Sequence, residues 1–273
     1  MALPTAQELF DAGVHIGHQV RCWNPRFREF LYANRHGISI INLEKTLIQL
    51  EKACAYVEHI VGGGQDIWLV GTKPQAQDAI REAATAVSMP FVVERWLGGT
   101  LTNFHTIYQG LEKYRNFLTL DQRGEIDRMP NKEAASLRRK MVRMKANFEG
   151  LADIHEPPAA LFIVDVNCEN IAVKEARKMG IKSVALVDTN SDPSCVDIAI
   201  PANDDSTRSI GAIVGAIWEA IGKGMECRDL RQVDKAPAQD VGELQDVESS
   251  VTLSSGVQMA MDALEDIEVA EGV

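Results

Sequence analysis

Short apolar runs alternate with amphipathic stretches over most of this chain, and this alternation limits its fold more than any other feature. Residues 67–71 (IWLVG) and 90–93 (PFVV) are typical of buried strands, and Pro74 between them favours the first turn of a helix. Further strands are predicted at 160–165, 183–188 and 197–201, and helices at 43–61, 74–87, 169–179 and 205–222. The alternation predicts an α/β fold, in which helices cover both faces of a parallel sheet.

The first forty residues do not follow this alternation. The segments GVHIGH (13–18), REFLYANRHG (28–37) and ISIIN (38–42) are typical of short strands or a hairpin rather than of helices. We therefore expect a small β element before the first long helix.

Between residues 104 and 151 two long helices are predicted instead of strands. Each has one apolar stripe at spacings of three and four, and a polar connection at 119–131 separates them. Two matched stripes joined by a turn predict an antiparallel helical hairpin. Its basic surface is either a solvated helix face or an arm that reaches phosphates. Five bases lie within eight residues there: Arg138, Arg139, Lys140, Arg143 and Lys145.

The net charge of -11 is mostly a property of the C-terminal tail. Residues 226–273 contain 12 acidic and 3 basic residues, so the rest of the chain is nearly neutral. Within that rest, residues 105–150 carry 10 bases against 6 acids. Because local patches set the affinity for phosphate, the acidic composition does not exclude a nucleic-acid partner.

These patterns divide the chain into three parts. We predict an α/β globular domain over 1–103 and 152–225, a helical-hairpin protrusion over 104–151, and an acidic, largely disordered tail over 226–273. Within the tail, residues 257–268 have one apolar face, which suits either a helix that orders on a partner or a frayed end.

Nothing in the sequence marks the chain for export or for a membrane. No run approaches the roughly 20 apolar residues of a membrane helix, and the N-terminus has neither a signal core nor an Arg-rich transit peptide. The five cysteines are scattered without CxxC spacing, which is typical of reduced thiols in a cytosolic protein. We expect a cytoplasmic protein.

The motifs of common nucleotide-binding and hydrolytic enzymes are absent. The chain has no GxGxxG, no Walker loop and no GxSxG; VGTKP (70–74) contains only the GTK part of a phosphate loop. Lys73 at a predicted helix N-terminus can still hold an anion. His15 and His18 form half a zinc site at most, which favours a structural or RNA-facing role.

Aspartates follow two of the predicted strands, in VDTNSDP (187–193) and PANDDS (201–206). If they converge at one edge of the sheet, Asp188, Asp204 and Asp205 can hold Mg²⁺. Alternatively they cap helices, and Asp204 or Asp205 is then the N-cap of the last helix. The spacing favours capping.

Two segments carry the residue types that bind RNA. RCWNPRFR (21–28) interleaves Trp23 and Phe27 with arginines, and this mixture suits base stacking combined with phosphate pairing. RWLGGTLTN (95–103) supplies a charge, glycines that let the backbone approach a ligand, and hydroxyl and amide donors for phosphate or a 2′-OH. In the same segment we expect Trp96 to be buried as a pin, and Asn103 is a candidate cap for the next helix.

Together these segments resemble the bacterial-type family of small-subunit ribosomal protein number two. The resemblance covers about residues 8–225 and rests on RWLGGTLTN combined with VDTNSDP, with support from GVHIGHQ, INLEKT, VGTK and IPANDD. It implies a flavodoxin-like parallel sheet with a protruding helical coiled coil, and a non-enzymatic role on the ribosome in binding small-subunit rRNA. It also implies neighbouring small-subunit proteins as partners, including the large multi-OB-fold protein that captures mRNA.

We therefore predict a structural constituent of the small ribosomal subunit that binds rRNA and helps to assemble neighbouring proteins for translation. The alternative is a doubly wound enzyme that binds a nucleotide or sugar phosphate at Lys73 and Gly98-Gly99. No cofactor is predicted, apart from a possible structural Mg²⁺ at Asp188, Asp204 and Asp205. The candidate rRNA contacts are Arg21, Trp23, Asn24, Arg26, Arg28, Lys73, Arg95, Asn103, Arg138, Arg139 and Arg143.

Overall fold

The N-terminal β element is a three-stranded antiparallel sheet. The computed structural model describes residues 3–235, with side chains to residue 230. A short helix, α1 (Ala6–Asp11), precedes strands β1 (Ile16–Gln19), β2 (Leu31–Arg35) and β3 (Ile38–Ile41). The strands pair in the order β1-β3-β2, which confirms the short strands predicted for this region.

A five-stranded parallel sheet forms the centre of the fold. Its strands are β4 (Ile67–Val70), β5 (Phe91–Val92), β6 (Ala160–Val164), β7 (Lys182–Val187) and β8 (Ile198–Pro201). They lie in the order β5-β4-β6-β7-β8, and every neighbouring pair is parallel. Numbered within the sheet this is 2-1-3-4-5, the strand order of flavodoxin. The predicted α/β class and its five strands are confirmed.

Helices lie on both faces of this sheet, as the continuous apolar strands require. The helices are α2 (Leu43–Gly62), α3 (Pro74–Ala86), α4 (Phe104–Gln122), α5 (Asn131–Phe148), α6 (Asn170–Met179) and α7 (Thr207–Lys235). Leu69 and Phe162 point to one face of the sheet, which packs against α2, α3 and α7. Trp68 and Leu161 point to the other face, which packs against α6, the ends of α4 and α5 that meet the sheet, and the aromatic residues before β2.

Two long consecutive helices, α4 and α5, occupy the segment between β5 and β6, where the sequence predicts them. Tyr114 of α4 lies 6.4 Å, between ring centroids, from Phe148 at the end of α5. Leu111, Tyr114 and Phe148 are buried on the sheet face that they share with Trp68. The predicted protrusion of this pair as a coiled coil stays a prediction.

The last helix is longer than predicted. We expect it to end near Gly222 and the following residues to be disordered, whereas α7 continues to Lys235. The prediction is wrong for residues 223–235; residues 236–273, with the predicted helix 257–268, lie outside the described part of the chain. Gly224 allows close contact with α2 instead of ending the helix, because a β-carbon there would lie 2.8 Å from Cβ of Val61.

Within residues 3–235 we find no helix that combines the length and the apolar character needed to cross a membrane.

Gly150, in the turn that follows α5, packs closely against the edge strand β5, which yields a test of this packing. A β-carbon at Gly150 would lie 2.3 Å from the backbone oxygen of Phe91 in β5. We expect Gly150→Ala to lower the free energy of unfolding by about 1–3 kcal/mol in urea denaturation, because the overlap forces a backbone shift. The control Gly211→Ala, inside α7 with no heavy atom within 4 Å of its β-carbon, should raise it by up to about 1 kcal/mol. Equal effects of the two variants would contradict this packing.

Candidate nucleic-acid interface

The carboxyl ends of the parallel strands bring four aspartates to one edge of the sheet. They are Asp165 after β6, Asp188 after β7, and Asp204 with Asp205 after β8. The side chain of Lys73, from the turn between β4 and α3, extends among them. Its Nζ atom lies 2.8 Å from Oδ1 of Asp204 and 2.6 Å from Oδ1 of Asp205. The same atom lies 3.6 Å from Oδ2 of Asp165.

His18 of β1 joins this cluster from the N-terminal sheet. Its Nδ1 atom lies 3.1 Å from Oδ2 of Asp188, and its Nε2 atom lies 3.3 Å from Oδ2 of Asp205. The backbone N–H of His18 donates to Oγ1 of Thr189 at 2.9 Å. The small sheet is therefore connected to the large one through charged and hydrogen-bonded groups.

Burial and mutual contact shift the pKa values of these groups. Burial alone lowers the pKa of Lys73, but the hydrogen bonds to Asp204 and Asp205 outweigh it and raise the pKa. Burial, together with the charges of Asp165 and Asp188, raises the pKa of Asp204 above its ordinary value. The hydrogen bond to Asp188 raises the pKa of His18 to about 9. At neutral pH both cations are therefore charged.

The predicted capping role of Asp204 and Asp205 is wrong. The last helix begins at Thr207, and it is Ser206 that precedes it; Oγ of Ser206 accepts from the N–H of Ser209 at 3.5 Å. Both aspartates face Lys73 instead. The alternative, convergence at one sheet edge, describes their position. Sequence spacing places either carboxylate near the helix start, but only the folded sheet brings the lysine to them.

The possible metal site lies in the same cluster. One ligand atom each from His18, Asp188 and Asp204 lie within 4.8 Å of one another. Oδ2 of Asp204 is buried without a hydrogen-bond partner, a feature that suits a cation. However, Lys73 already contacts the other oxygen of Asp204, and an imidazole is a poor ligand for Mg²⁺, which prefers oxygen.

His15, three residues before His18, lies away from this cluster. Its ring stacks on Phe10 with 4.2 Å between the centroids. Burial lowers the pKa of His15, in contrast to His18. The two histidines therefore have separate internal contacts and do not form a common site.

The glycine loop RWLGGTLTN binds an anion that belongs to the protein itself. Oε1 of Glu175 in α6 accepts from the N–H of Gly99 at 2.6 Å. Its Oε2 accepts from the N–H groups of Leu101 and Thr102 at 2.9 and 3.1 Å, and from the Thr102 hydroxyl at 3.3 Å. Gly99 has a φ of +93°, which only glycine adopts without strain. Of the side-chain donors predicted for phosphate in this loop, the Thr102 hydroxyl thus contacts a carboxylate, together with three backbone N–H groups.

The other predicted features of this loop are placed as follows. Trp96 is buried, as predicted. The hydroxyl of Thr100 donates to the Leu97 carbonyl at 2.6 Å. Asn103 occupies the N-cap position of α4, but its side chain makes no capping bond and accepts from the Thr106 hydroxyl. Arg95 and Asn103 are exposed and remain open to an external partner.

The segment RCWNPRFR exposes its arginines but not all of its aromatic side chains. Arg21, Arg26 and Arg28 are exposed and Trp23 is half-buried. Phe27 is fully buried, so the predicted base stacking by this residue is wrong. Two further contacts fix the segment. Asn24 donates from its N–H to the carbonyl of Thr189 at 2.7 Å, and Arg26 pairs with Asp192.

The predicted contact residues therefore fall into separate groups rather than one site. Arg138, Arg139 and Arg143 are exposed on α5, where Arg138 pairs with Asp127. The arginines of 21–28, with Arg95 and Asn103, are exposed elsewhere on the chain. Lys73 is set apart, because its ammonium group lies among aspartates.

Sequence reasoning missed two residues of this region. Asp165 follows β6 directly, as Asp188 follows β7, and this position after a buried strand is the signal that could have found it. Glu175 lies in the middle of an ordinary amphipathic helix, and no local pattern distinguishes it.

Both places where a doubly wound enzyme holds a phosphate ligand are thus filled by the protein's own charges. Such ligands bind outside the carboxyl ends of the strands and on glycine-rich amides. Here Lys73 occupies the first place and Glu175 the second. Neither of these two places is therefore open to an external anion, whereas cations are exposed elsewhere on the described part of the chain.

Comparison with known proteins also argues against an enzyme of this class. A sequence model of the family described as ribosomal protein S2 matches residues 9–224. A small ribosomal subunit protein uS2 of Opitutus terrae is 49% identical over 234 residues, which cover 86% of this chain and 78% of that protein. The uS2 proteins of Mycolicibacterium vanbaalenii and Coprothermobacter proteolyticus are 41% and 45% identical, over 88% and 84% of this chain and 88% and 85% of those proteins. The chain belongs to the ribosomal protein S2 family.

Membership of the S2 family confirms three expectations from the sequence. The resemblance to the small-subunit family is correct. The family is structural and not enzymatic, so the alternative of a nucleotide- or sugar-phosphate-binding enzyme is set aside. The expected location, on the ribosome in the cytoplasm, follows from the same membership.

The contact between Lys73 and Asp204 gives a first prediction for this region. Asp204 is fully buried, so Lys73→Met leaves a buried carboxylate without its cation. We expect the variant to lose about 3–5 kcal/mol of unfolding free energy in urea denaturation. The double variant Lys73→Met/Asp204→Asn should recover most of this loss. Lys182→Met, which breaks the exposed pair with Asp197, is the control and should cost less than about 1 kcal/mol.

His18 gives a second prediction, for the dependence of stability on pH. Because folding raises the pKa of His18 from 6.5 to about 9, its contribution is fully present below pH 6.5 and is lost as the pH rises through 9. Unfolding free energies between these pH values should fall in the wild type and fall less in His18→Gln. The exposed His59 serves as control, and His59→Gln should keep the wild-type slope. If the stability of His18→Gln falls as steeply with pH as that of the wild type, His18 does not make this contribution.

Proposed function

We propose that the protein is a structural constituent of the small ribosomal subunit that binds small-subunit rRNA through cations on its surface. The observation that carries the proposal is the basic face of α5, where five cations lie within eight residues and all are exposed. Within the described part of the chain, no ion pair engages Arg139, Lys140 or Arg143. Cations without internal partners are available to neutralise phosphates and release their counterions.

The helices α4 and α5 are proposed to form an antiparallel hairpin that projects as a coiled coil. Tyr114 in α4 contacts Phe148 at the end of α5, whereas Arg138 in the first half of α5 pairs with Asp127 in the connection. These contacts support antiparallel helices anchored at the sheet. Val142 is 70% exposed, so part of the second helix faces away from any described neighbour. Such an arm carries the basic face to rRNA beyond the reach of the sheet.

Further proposed rRNA contacts lie in the segment 21–28 and in the exposed residues of the glycine loop. Arg21, Arg28 and Arg95 supply charge, and the half-buried Trp23 offers one ring face. Asn24 and Arg26 hold the segment on the body of the protein through Thr189 and Asp192. Contacts of this kind recognise the RNA backbone and shape rather than base sequence.

Another surface suits a protein partner rather than RNA. Phe10 and Tyr32 are 53% and 70% exposed, and they flank a cavity of about 290 Å³ that Ile41 and Leu43 also line. We propose that this apolar patch receives a neighbouring small-subunit protein, and that the large multi-OB-fold protein that captures mRNA is the partner. Exposed aromatic side chains beside a pocket are typical of such anchor points.

No metal cofactor is part of the proposal. The ammonium group of Lys73 and the imidazolium of His18 supply positive charge at the possible Mg²⁺ site of Asp188, Asp204 and Asp205. Calorimetric titration with Mg²⁺ tests this: a stoichiometric binding signal that disappears in Asp204→Asn would overturn it.

The basic face of α5 provides the test of rRNA binding. Replacement of Arg138, Arg139 and Arg143 with alanine should weaken binding to small subunits freed of this protein by high salt. It should also flatten the dependence of log Kd on log salt by about one for each phosphate that the variant no longer neutralises. The measurement is co-sedimentation at several salt concentrations.

The matched control removes three cations from the other face of the sheet, in Lys52→Ala/Arg81→Ala/Lys223→Ala. This variant changes the net charge equally and should keep both the affinity and the salt dependence. If the two triple variants bind alike, the α5 face does not bind phosphate. If the wild type itself does not sediment with small subunits at modest salt, the proposed function fails.

A further inference from the structure

The carboxylate of Glu175 fills a concave set of donors that would otherwise suit a phosphate. Four donors converge on its two oxygens: three loop N–H groups and the Thr102 hydroxyl. Successive backbone N–H groups arranged in this way form an anion-binding nest. Glu175 is only 8% exposed, so solvent does not compete for these bonds. The carboxylate therefore occupies the position that a bound phosphate would take.

The electrostatics of Glu175 agree with this geometry. Burial alone would raise its pKa, but the hydrogen bonds from the N–H groups of Gly99, Leu101 and Thr102 outweigh burial and lower it. The charged carboxylate is thus the form that the loop binds, and it persists at neutral pH. A neutral side chain of the same size provides fewer acceptors for the same four donors.

Three backbone N–H groups of the loop depend on Glu175 for an acceptor. Gly99 is in the left-handed region, at a φ of +93°, and the N–H groups of residues 99, 101 and 102 all point towards α6. Without the carboxylate, three N–H groups would lose their acceptor, and one of them, on Leu101, belongs to a residue that is 1% exposed. Leaving buried donors unpaired is costly, so the loop would rearrange to regain acceptors.

We propose that Glu175 is a positioning residue for rRNA binding: an internal anion that takes the place of a phosphate and fixes the loop so that Arg95 and Asn103 face the RNA. The inference rests on the proposed rRNA-binding function. Arg95 and Asn103 lie at the two ends of the loop and are both exposed, whereas the loop's middle binds α6. Glu175 itself stays buried and does not touch the RNA.

The direction in which Glu175→Gln changes the affinity for small subunits distinguishes the positioning role from an effect of net charge alone. Glu175→Gln removes one negative charge, which by itself strengthens binding to a polyanion. The positioning role demands the opposite: about tenfold weaker binding to salt-stripped small subunits, equivalent to about 1.4 kcal/mol. Because a misplaced Arg95 no longer neutralises a phosphate, the dependence of log Kd on log salt should flatten by about one. The control Glu94→Gln removes an exposed charge next to Arg95 and should bind at least as tightly as the wild type.

Amide hydrogen exchange reports the loop directly, without RNA. In Glu175→Gln, the amide hydrogens of Gly99, Leu101 and Thr102 should exchange faster than in the wild type. The amides of β6 should keep their protection, which shows that the variant is folded. In Glu175→Ala, sodium acetate or inorganic phosphate should restore protection at the same three amides, because a small anion can enter the vacated nest. The wild type should not respond to either salt.

A second variant reaches the loop without changing Glu175. Gly99→Ala strains the left-handed backbone and should reproduce both the weaker binding and the faster exchange. The proposal is overturned if Glu175→Gln binds small subunits as tightly as Glu94→Gln, or if its loop amides keep wild-type protection. The proposed function fails separately, if wild-type protein does not bind small subunits while its loop amides are protected as described.

Discussion

The ammonium group of Lys73 is the contact on which the carboxyl edge of the sheet depends. A parallel sheet places the carboxyl ends of its strands side by side, so the aspartates that follow β6 and β8 lie close together in a largely buried region. Without a cation between them, the mutual repulsion of these carboxylates would destabilise this end of the sheet. Lys73 comes from the turn before α3, and His18 comes from the N-terminal sheet. Pairing therefore also fixes these two elements to strands that lie far away in sequence.

The same principle acts at the glycine loop, with the signs reversed. There the donors belong to the backbone and the charge to Glu175, so a helix and a loop are joined by an anion instead of a cation. In both places the protein satisfies internally a site that related folds leave open for a ligand. With both places occupied by the protein's own charges, neither is open to an external anion. This explains how a fold common among nucleotide-binding enzymes serves a structural family.

Periodicity predicts the elements of this fold because the signals are local. The strand run 67–71 and the stripe of α2 give the correct element types and nearly correct ends, since burial on a sheet or along a helix face imposes a fixed period. The end of α7 is wrong for a non-local reason. Glycine near residue 222 is a stop signal in isolation, but close contact with α2 at Gly224 favours continuation of the helix. The burial of Phe27 is a similar case, because its arginine neighbours give no sign of the core beneath it.

The sequence alone determined the α/β class, the order of its elements, the basic segment of α5 and the family, since each is written in local composition, spacing or motif. Only the tertiary structure decided which of the candidate groups meet. It placed Lys73 and His18 among aspartates, made Ser206 rather than Asp204 the residue before α7, and brought Glu175 to the glycine loop. The reason is physical: hydrogen bonds and ion pairs act over about 3 Å, and residues 74 or 131 positions apart reach that distance only through the folding of the whole sheet.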